Sequence, residues 1–432
     1  DLACRYLGIP YDVQEDSPPL VTTVFGALYV NAREKARRFR RGPGVLASFR
    51  LAREAERIEA QFREDFLPAY LEAIGLEEAI DLHRLETSEL FRLYRRLRDR
   101  FVKQDYVQAE IINLAAGFYL KQAEQGLSRR GLSVVDHLAN IPPTVVHQAM
   151  SLLPEIRAGR RPVSDFLKQF GHRAPVDYEL ADPRYAESPE LVGQLVESAR
   201  DTHLHASRPA SRQPLDKEPA LRLVVERARR FQALKEEAKH HCLRELALIR
   251  RVLLELDKRL QLGGGIFYLT CDEIDAADRQ AADHLGSIAA RRADAAAFET
   301  VGRLPTEITA ADLETLGLPG RRKAGEKEGE LHGTLVAGTA PVEGRARVVT
   351  NGEAVSAVRG EILVARHIHP DWIPLFPDLA GMVVELGGWL SHGALIAREY
   401  DLTTVVGVRG ATEQIADGDL VRIEPDGRVQ RL

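Results

Sequence analysis

Val383-Val384-Glu385-Leu386-Gly387-Gly388-Trp389-Leu390-Ser391-His392-Gly393-Ala394-Leu395-Ile396-Ala397-Arg398-Glu399 is the stretch from which the rest of the chain can be read. An apolar run ends in two glycines. A serine and a histidine follow, then Ala394, Leu395 and Ala397 are set against Arg398 and Glu399 in a helical pattern. The β-rich run Thr403-Thr404-Val405-Val406-Gly407-Val408 comes straight after. The spacing predicts strand, tight turn, helix, strand. Ser391 suits an N-cap, which puts His392 on the first helical turn. Unpaired amides and the positive end of the helix dipole favour an anion there. Gly387 and Gly388 remove side chains that would block close approach. A neutral imidazole is a good nucleophile near neutral pH and can hold a phosphoryl group covalently. On residue type alone, a capping or packing histidine is the commoner reading of such a turn.

The wider pattern changes that weighting. Gly-Gly-x-Leu-Ser-His-Gly-Ala-x-Ile-Ala-Arg-Glu resembles the phosphohistidine motif of the phosphoenolpyruvate-utilising enzymes. That family includes phosphoenolpyruvate synthase, pyruvate phosphate dikinase, enzyme I of the sugar phosphotransferase system and rifampin phosphotransferase. The likeness extends upstream through Pro341–Val349, Gly360–Ala365 and Asp371–Phe376, and downstream to Asp417-Gly418-Asp419 and Asp426-Gly427. It runs from about Gly333 to the C-terminus. It implies that His392 is the catalytic phosphocarrier, supported by Gly387, Gly388, Ser391, Arg398 and Glu385. In this reading Glu385 orients the site or pairs with Arg398.

The composition bounds the rest. With 432 residues the chain is too long for one compact core. At 44% hydrophobic and 28% charged, it reads as a globular protein. A net charge of -5 argues against a general nucleic-acid binder. Cys4, Cys242 and Cys271 have no metal-ligand spacing and suggest no disulfide framework, which fits a reducing cytoplasm. No apolar run is long enough for a transmembrane helix. Asp1 opens in apparently folded sequence without an initiator Met, as a fragment or processed piece would.

Taken in order, residues 1 to about 30 read as irregular, and the chain turns helical from Ala32. Leu51, Ala55, Ile58, Phe62 and Phe66 make one face of an amphipathic helix over 48–74 that Gly75 should break. A second helix starts at Glu86 and runs beyond Tyr119. Pro142-Pro143 opens a third helical stretch. Residues 188–217 read as a polar surface excursion, and a long helix follows over about 219–262. Gly263-Gly264-Gly265 closes it, and Ile266–Thr270 reads as a short β-like run. Residues 289–297 are helical again. Residues 317–332 are charged, Gly-rich and free of apolar periodicity, the best domain boundary in the chain. The expected architecture is multidomain, α and α/β: a mainly α-helical acceptor-binding domain over 1–316, a flexible linker over 317–332, and a swivelling α/β phosphohistidine domain over 333–432.

Two helical-region segments also resemble the family. Phe170-Gly171-His172-Arg173, with Glu179-Leu180-Ala181-Asp182-Pro183-Arg184, is similar to its central domain. There His172 or Arg173 either faces a reaction cleft or fixes the loop. Lys235 and Lys239 share a helix face four residues apart. Relatives of the rifampin phosphotransferase type show Arg-Glu-x-x-Lys there, pointing into the acceptor pocket. Lys239 matches, whereas Lys235 lacks the bidentate fork of Arg. The alternative is an exposed basic face paired with Glu236 and Glu237. His240-His241 has no third ligand at metal spacing, and no metal-ligating set is expected.

Neither the family's ATP-grasp domain nor the barrel that handles pyruvate is recognisable. The resemblance therefore implies acceptor-binding and phosphohistidine domains working with an ATP-grasp domain or subunit that binds ATP and Mg²⁺. His392 would take the β-phosphoryl of ATP, with AMP and phosphate released, and pass it to a small-molecule hydroxyl in the helical domain. Two alternatives stand beside this: a phosphocarrier serving a protein partner, as enzyme I does, and a non-catalytic binding module with a relict His domain.

Overall fold

The computed structural model describes residues 21–24, 27–30, 54, 56–138, 141–174, 177–198, 215–300, 331–338, 340–349, 359–368, 370–388 and 392–432. Backbone contacts divide the chain into two units. The first comprises 1–115, 178–181 and 238–321, the second 116–177, 182–237 and 322–432.

The first unit opens with a hairpin where irregular chain was expected. Strands β1 (Val21–Val24) and β2 (Ala27–Val30) pair antiparallel, consistent with the β-branched run Val21-Thr22-Thr23-Val24. The expected helix from Ala32 to Arg41 and the start of the helix over 48–74 lie outside the described residues. Gly75 does not break that helix. A π-helical segment, Gln61–Phe66, leads into α1 (Leu67–Glu78), which runs straight through Gly75. Tyr70 and Ile74 bury their side chains on this helix, and that burial outweighs a glycine cost of roughly 1 kcal/mol.

Helix α2 (Thr87–Arg100) starts at Glu86 as expected, through a reciprocal cap in which the Glu86 amide donates to Glu89 at 2.8 Å. A π-helical turn, Phe101–Asp105, passes it on to α3 (Tyr106–Ser128). The α1–α2 core closes on the C-terminal half of a long helix through Leu243, Ile249, Val252, Leu253 and Leu256. The β-like run after that helix is instead a 3₁₀ turn, Gly265–Tyr268. Asp257 accepts from the amides of Gly264 (2.7 Å) and Ile266 (3.0 Å), which curls the chain before it can extend. Helices α9 (Cys271–Gln280) and α10 (Leu285–Thr300) complete the unit.

In the second unit the helical part comprises α3 from residue 116 on, α4 (Val134–Leu138), α5 (Val145–Arg157), α6 (Val163–Phe170), α7 (Pro189–Ser198) and the first half of α8 (Pro219–Leu260). Helix α7 occupies part of what read as a polar excursion; its Val192 and Leu195 are buried against Phe166 and Tyr185. The rest of that excursion, 199–214, lies outside the described residues, as does most of the expected linker.

The linker's last two residues are strand β3 (Leu331–His332), and β4 (Thr334–Ala337), β5 (Val342–Val349), β6 (Ile362–Ala365) and β7 (Gly381–Val384) follow. Helix α11 (His392–Glu399), β8 (Thr403–Val406), α12 (Ala411–Gln414), β9 (Leu420–Ile423) and β10 (Arg428–Arg431) end the chain. The strand order is β3-β10-β9-β5-β6-β7-β8-β4. The central run β5-β6-β7-β8 is parallel and the flanking pairs are antiparallel. The two outer strands, β3 and β4, are separated only by Gly333, so the edges of the sheet meet and it curls on itself. Gly333 is required there: a Cβ would lie 2.5 Å from the Val406 carbonyl oxygen. Period-2 alternation then sorts the side chains. Ile362, Val364, Val383 and Val405 fill the inner cluster, whereas Leu363, Ala365, Met382, Val384 and Val406 join the outer cluster under α11. A mainly helical chain with a C-terminal α/β module is the architecture the sequence predicts.

Candidate active site

The glycine-rich turn leaves the sheet where three parallel strands end level. Ala365 pairs with Val384, and Val384 with Val406. The ladder continues into the loops, with the Glu385 amide donating to Ala365 O at 3.0 Å and the Leu386 amide to Arg366 O at 2.7 Å. The carboxyl ends of parallel strands are where open α/β sheets bind ligands, because the loops diverge there and the following helix presents its N-terminus. Gly387 has φ +140°, a backbone that side chains rarely adopt. A Cβ on Gly388 would meet open space.

Helix α11 begins at His392. Ser391, the expected cap, lies outside the described residues, and for His392 only the backbone is described. The helix is seated by its small residues: Ala394 and Ala397 are fully buried in the outer cluster. A Cβ on Gly393 would stand 2.4 Å from the Ile368 side chain, so glycine lets the first turn close onto the β6 loop.

The supporting residues divide. Glu385 is buried and accepts from the amide and the hydroxyl of Thr412, both at 2.8 Å, so it caps α12 beside the turn. Arg398 is buried at the far end of α11. Six residues of helix put it about 9 Å along the axis from His392 and about 120° round it. The two therefore do not share a helix face.

The helical candidates sit in two settings. Arg173 follows α6 in a loop stapled by Tyr185 N→Arg173 O (2.8 Å) and Ala186 N→Gly171 O (2.9 Å). Its guanidinium donates twice to the buried Asp177 carboxylate, at 2.7 and 2.6 Å. Arg184 is also buried and donates to the Asp177 carbonyl at 3.0 Å. Burial alone would lower the Arg173 pKa; Asp177, with Glu236 behind it, outweighs that and holds it above its ordinary value. His172 is half-buried in the same loop. On α8, Lys235 Nζ stands 3.8 Å from the buried Glu236. One turn on, Lys239 lies 5.5 Å from the ring centre of Tyr178, a cation–π contact on an exposed tyrosine. The sequence singles out neither Asp177 nor Tyr178; Glu236 it offers as a partner of the basic face, and the structure puts it beside Lys235 but buried. Asp177 left one trace, an acid four residues after Arg173 in a segment with no helical pattern.

Among the described residues no helix is long and apolar enough to cross a membrane.

Residues 357–427 match the family model of the PEP-utilising enzyme mobile domain, and residues 130–254 that of the rifampicin phosphotransferase fourth domain. A rifampicin phosphotransferase from a Streptomyces species is 32% identical over 341 residues, 77% of this chain and 37% of its own length. The rifampicin phosphotransferase of Streptomyces sviceus is 29% identical over 330 residues, 69% of this chain and 37% of the relative. The prodigiosin synthesizing transferase PigC of Serratia marcescens is 26% identical over 410 residues, 81% and 46% of the two chains. The chain thus spans less than half the length of each of these relatives.

Proposed function

We propose that this chain, homologous through its helical and C-terminal parts to the rifampicin phosphotransferases, is a phosphotransferase component in which His392 carries the phosphoryl group. The observation behind this reading is local. His392 opens an eight-residue helix at the level ends of three parallel strands, reached through a turn that glycine keeps open. The positive end of a helix favours a phosphoryl group, and the imidazole can bond it.

The reaction has two halves. The β-phosphoryl of ATP moves to an imidazole nitrogen of His392 as its bond to AMP breaks, and water takes the γ-phosphoryl as inorganic phosphate. The P–N bond then breaks as a P–O bond forms to an acceptor hydroxyl, whose proton passes to a base. Splitting the transfer lowers each barrier, and positioning with charge stabilisation supplies most of the rate. Among the described residues no three His, Cys, Asp or Glu side chains are grouped to hold a metal. Following the family resemblance, we assign ATP and Mg²⁺ to an ATP-grasp domain or subunit acting with this chain.

The acceptor belongs to the helical part. His172, Arg173, Lys235 and Lys239 all fall within the matched residues 130–254. Lys239 is the best of them as a charge partner for the transferring group. It matches the second basic residue of the family's Arg-Glu-x-x-Lys pattern, whereas Lys235 departs from that pattern and the Arg173 fork is occupied by Asp177. One set of relatives is named for acting on rifampicin and another for making prodigiosin, which fits an acceptor class that varies with the pocket.

The test is labelling with β-labelled ATP, Mg²⁺ and an active ATP-grasp partner. Acid-labile label on the wild type and none on His392→Ala is the expected result. An unlabelled wild type beside a partner known to be active would overturn the reading.

A further inference from the structure

Val145 and Met150 belong to two cores at once. Both are half-buried on α5, and both pack against the helical cluster of Leu153, Phe166 and Phe170. The same two side chains also pack against the outer cluster of the C-terminal module, as do Ile368 and Leu375 from the module itself. Helix α7 runs against the module's 3₁₀ segment, Pro370–Asp378. The module's outer layer is thus finished by residues from a helix far upstream. A contact that must form and break needs apolar side chains that stay partly solvated and can refit. Met150 suits that, being unbranched and polarizable.

A second observation ties this contact to the active turn. Ile368 packs on the same outer cluster and lies where a Cβ on Gly393 would collide with it. The loop after β6 therefore packs on the same outer cluster as the α5 side chains and also against the first turn of α11.

We propose that Val145 and Met150 on α5 form the docking surface for the C-terminal module, and that Ile368 is the positioning residue linking this dock to the helix turn that carries His392. The occupant is the module of the same chain. The surface defines an acceptor-side station in which the module rests on the helical region matched by the rifampicin phosphotransferase model. The purpose of the dock rests on the phosphohistidine reading, whereas its existence is a statement about packing.

The test is hydrogen exchange on the full chain. Met150→Glu puts a charge into the shared layer. It should speed exchange about tenfold in 366–378 and 392–399, the loss of one partly buried methionine contact. Residues 342–349 and 420–423, inside the sheet, should exchange as in the wild type, and Met150→Leu should behave as the wild type throughout. Ile368→Ala should speed exchange in 145–157 from the other side. Unchanged exchange in 366–378 would overturn the dock. So would acceleration spread equally to 342–349 and 420–423, because Met150 would then be core of the module. His392 is labelled in the same samples with phosphoramidate, a small phosphoryl donor, and read as an acid-labile mass increment. Ile368→Ala should slow labelling about tenfold, and Ile368→Leu should restore it; equal rates would remove the positioning role. A wild type that takes no label but keeps the exchange pattern would sink the phosphohistidine reading and leave the dock standing.

Discussion

Replacing Glu245 by Gln should remove a pH dependence from the helical core while leaving the fold in place. Glu245 is fully buried on α8. Arg100 reaches three carboxylates: its Nε donates to Glu245 at 2.8 Å and Asp105 at 3.2 Å, and its Nη2 to Glu77 at 2.7 Å. Arg96 meets Glu77 from the exposed side at 3.1 Å. The half-buried Arg100 and the exposed Arg96 still leave one carboxylate more than the cations can balance in such a setting. Burial, reinforced by the hydrogen bond and charge of Asp105, pushes Glu245 up to about 9. Tyr70 and Cys242 face the same cluster, and burial raises both, so they stay neutral. The folded chain therefore keeps a proton that the unfolded chain releases above its ordinary value of 4.5. The unfolded state binds fewer protons, so stability falls as pH rises from about 4.5 to about 9, by ~1.4 kcal/mol per unit. Between pH 6.5 and 8.5 the loss is about 2.5 kcal/mol by the same linkage. Glutamine cannot titrate. In urea melts followed by helical circular dichroism, the wild type should lose about 2.5 kcal/mol more than Glu245→Gln over that interval. His241 acts in the opposite sense: burial, then Arg244, holds it at about 4, so its contribution is lost as pH falls below 6.5. It is the same in both proteins and cancels. Equal losses in the two would refute the shared proton.

Gly393→Ala should cost about 1–3 kcal/mol of overpacking against Ile368 and cut His392 labelling at least tenfold; combined with Ile368→Ala, labelling should recover to the level of Ile368→Ala alone. Asp177→Asn leaves the Arg173 guanidinium largely buried without its charge partner and should destabilise the 171–186 loop by about 3 kcal/mol, read as faster limited proteolysis there. Changing both residues to apolar ones of similar volume should cost less than the single change. Lys239→Ala should leave His392 labelling at the wild-type rate and slow discharge to acceptor at least tenfold; a matching fall in labelling would remove Lys239 from the acceptor side.

What the sequence disclosed depended on how local the physics was. The turn from Val383 to Glu399 is contiguous, so its strand, glycines and helix could be read in order, and the structure has them in that order. The cap at Glu86 and the long helix after Pro219 are local in the same sense. Expectations failed where a distant partner decides. Gly75 stays helical because Tyr70 and Ile74 are buried around it. Ile266–Tyr268 curls because Asp257 captures its amides. Val192 and Leu195 look like sparse apolar residues in a polar stretch until Phe166 and Tyr185 come to cover them.

The same distinction orders the acceptor candidates. As a string, Arg173, Lys235 and Lys239 are three cations told apart only by how each matches the family pattern. Folding makes them unequal by supplying neighbours from elsewhere in the chain. Arg173 is forked onto Asp177, Lys235 stands beside Glu236, and Lys239 lies over Tyr178. The Tyr178 ring contact gives a handle on the Lys239 charge, and the family pattern makes Lys239 the acceptor-side cation to test. Moving that charge is therefore sharper than deleting it. Tyr178→Glu should pair Lys239 with a carboxylate at the same place on the fold. If Lys239 serves the transfer, Tyr178→Glu should slow discharge nearly as much as Lys239→Ala, while Tyr178→Phe keeps the wild-type rate. If all three variants discharge alike, the ring contact is packing and the charge that receives the phosphoryl group lies elsewhere.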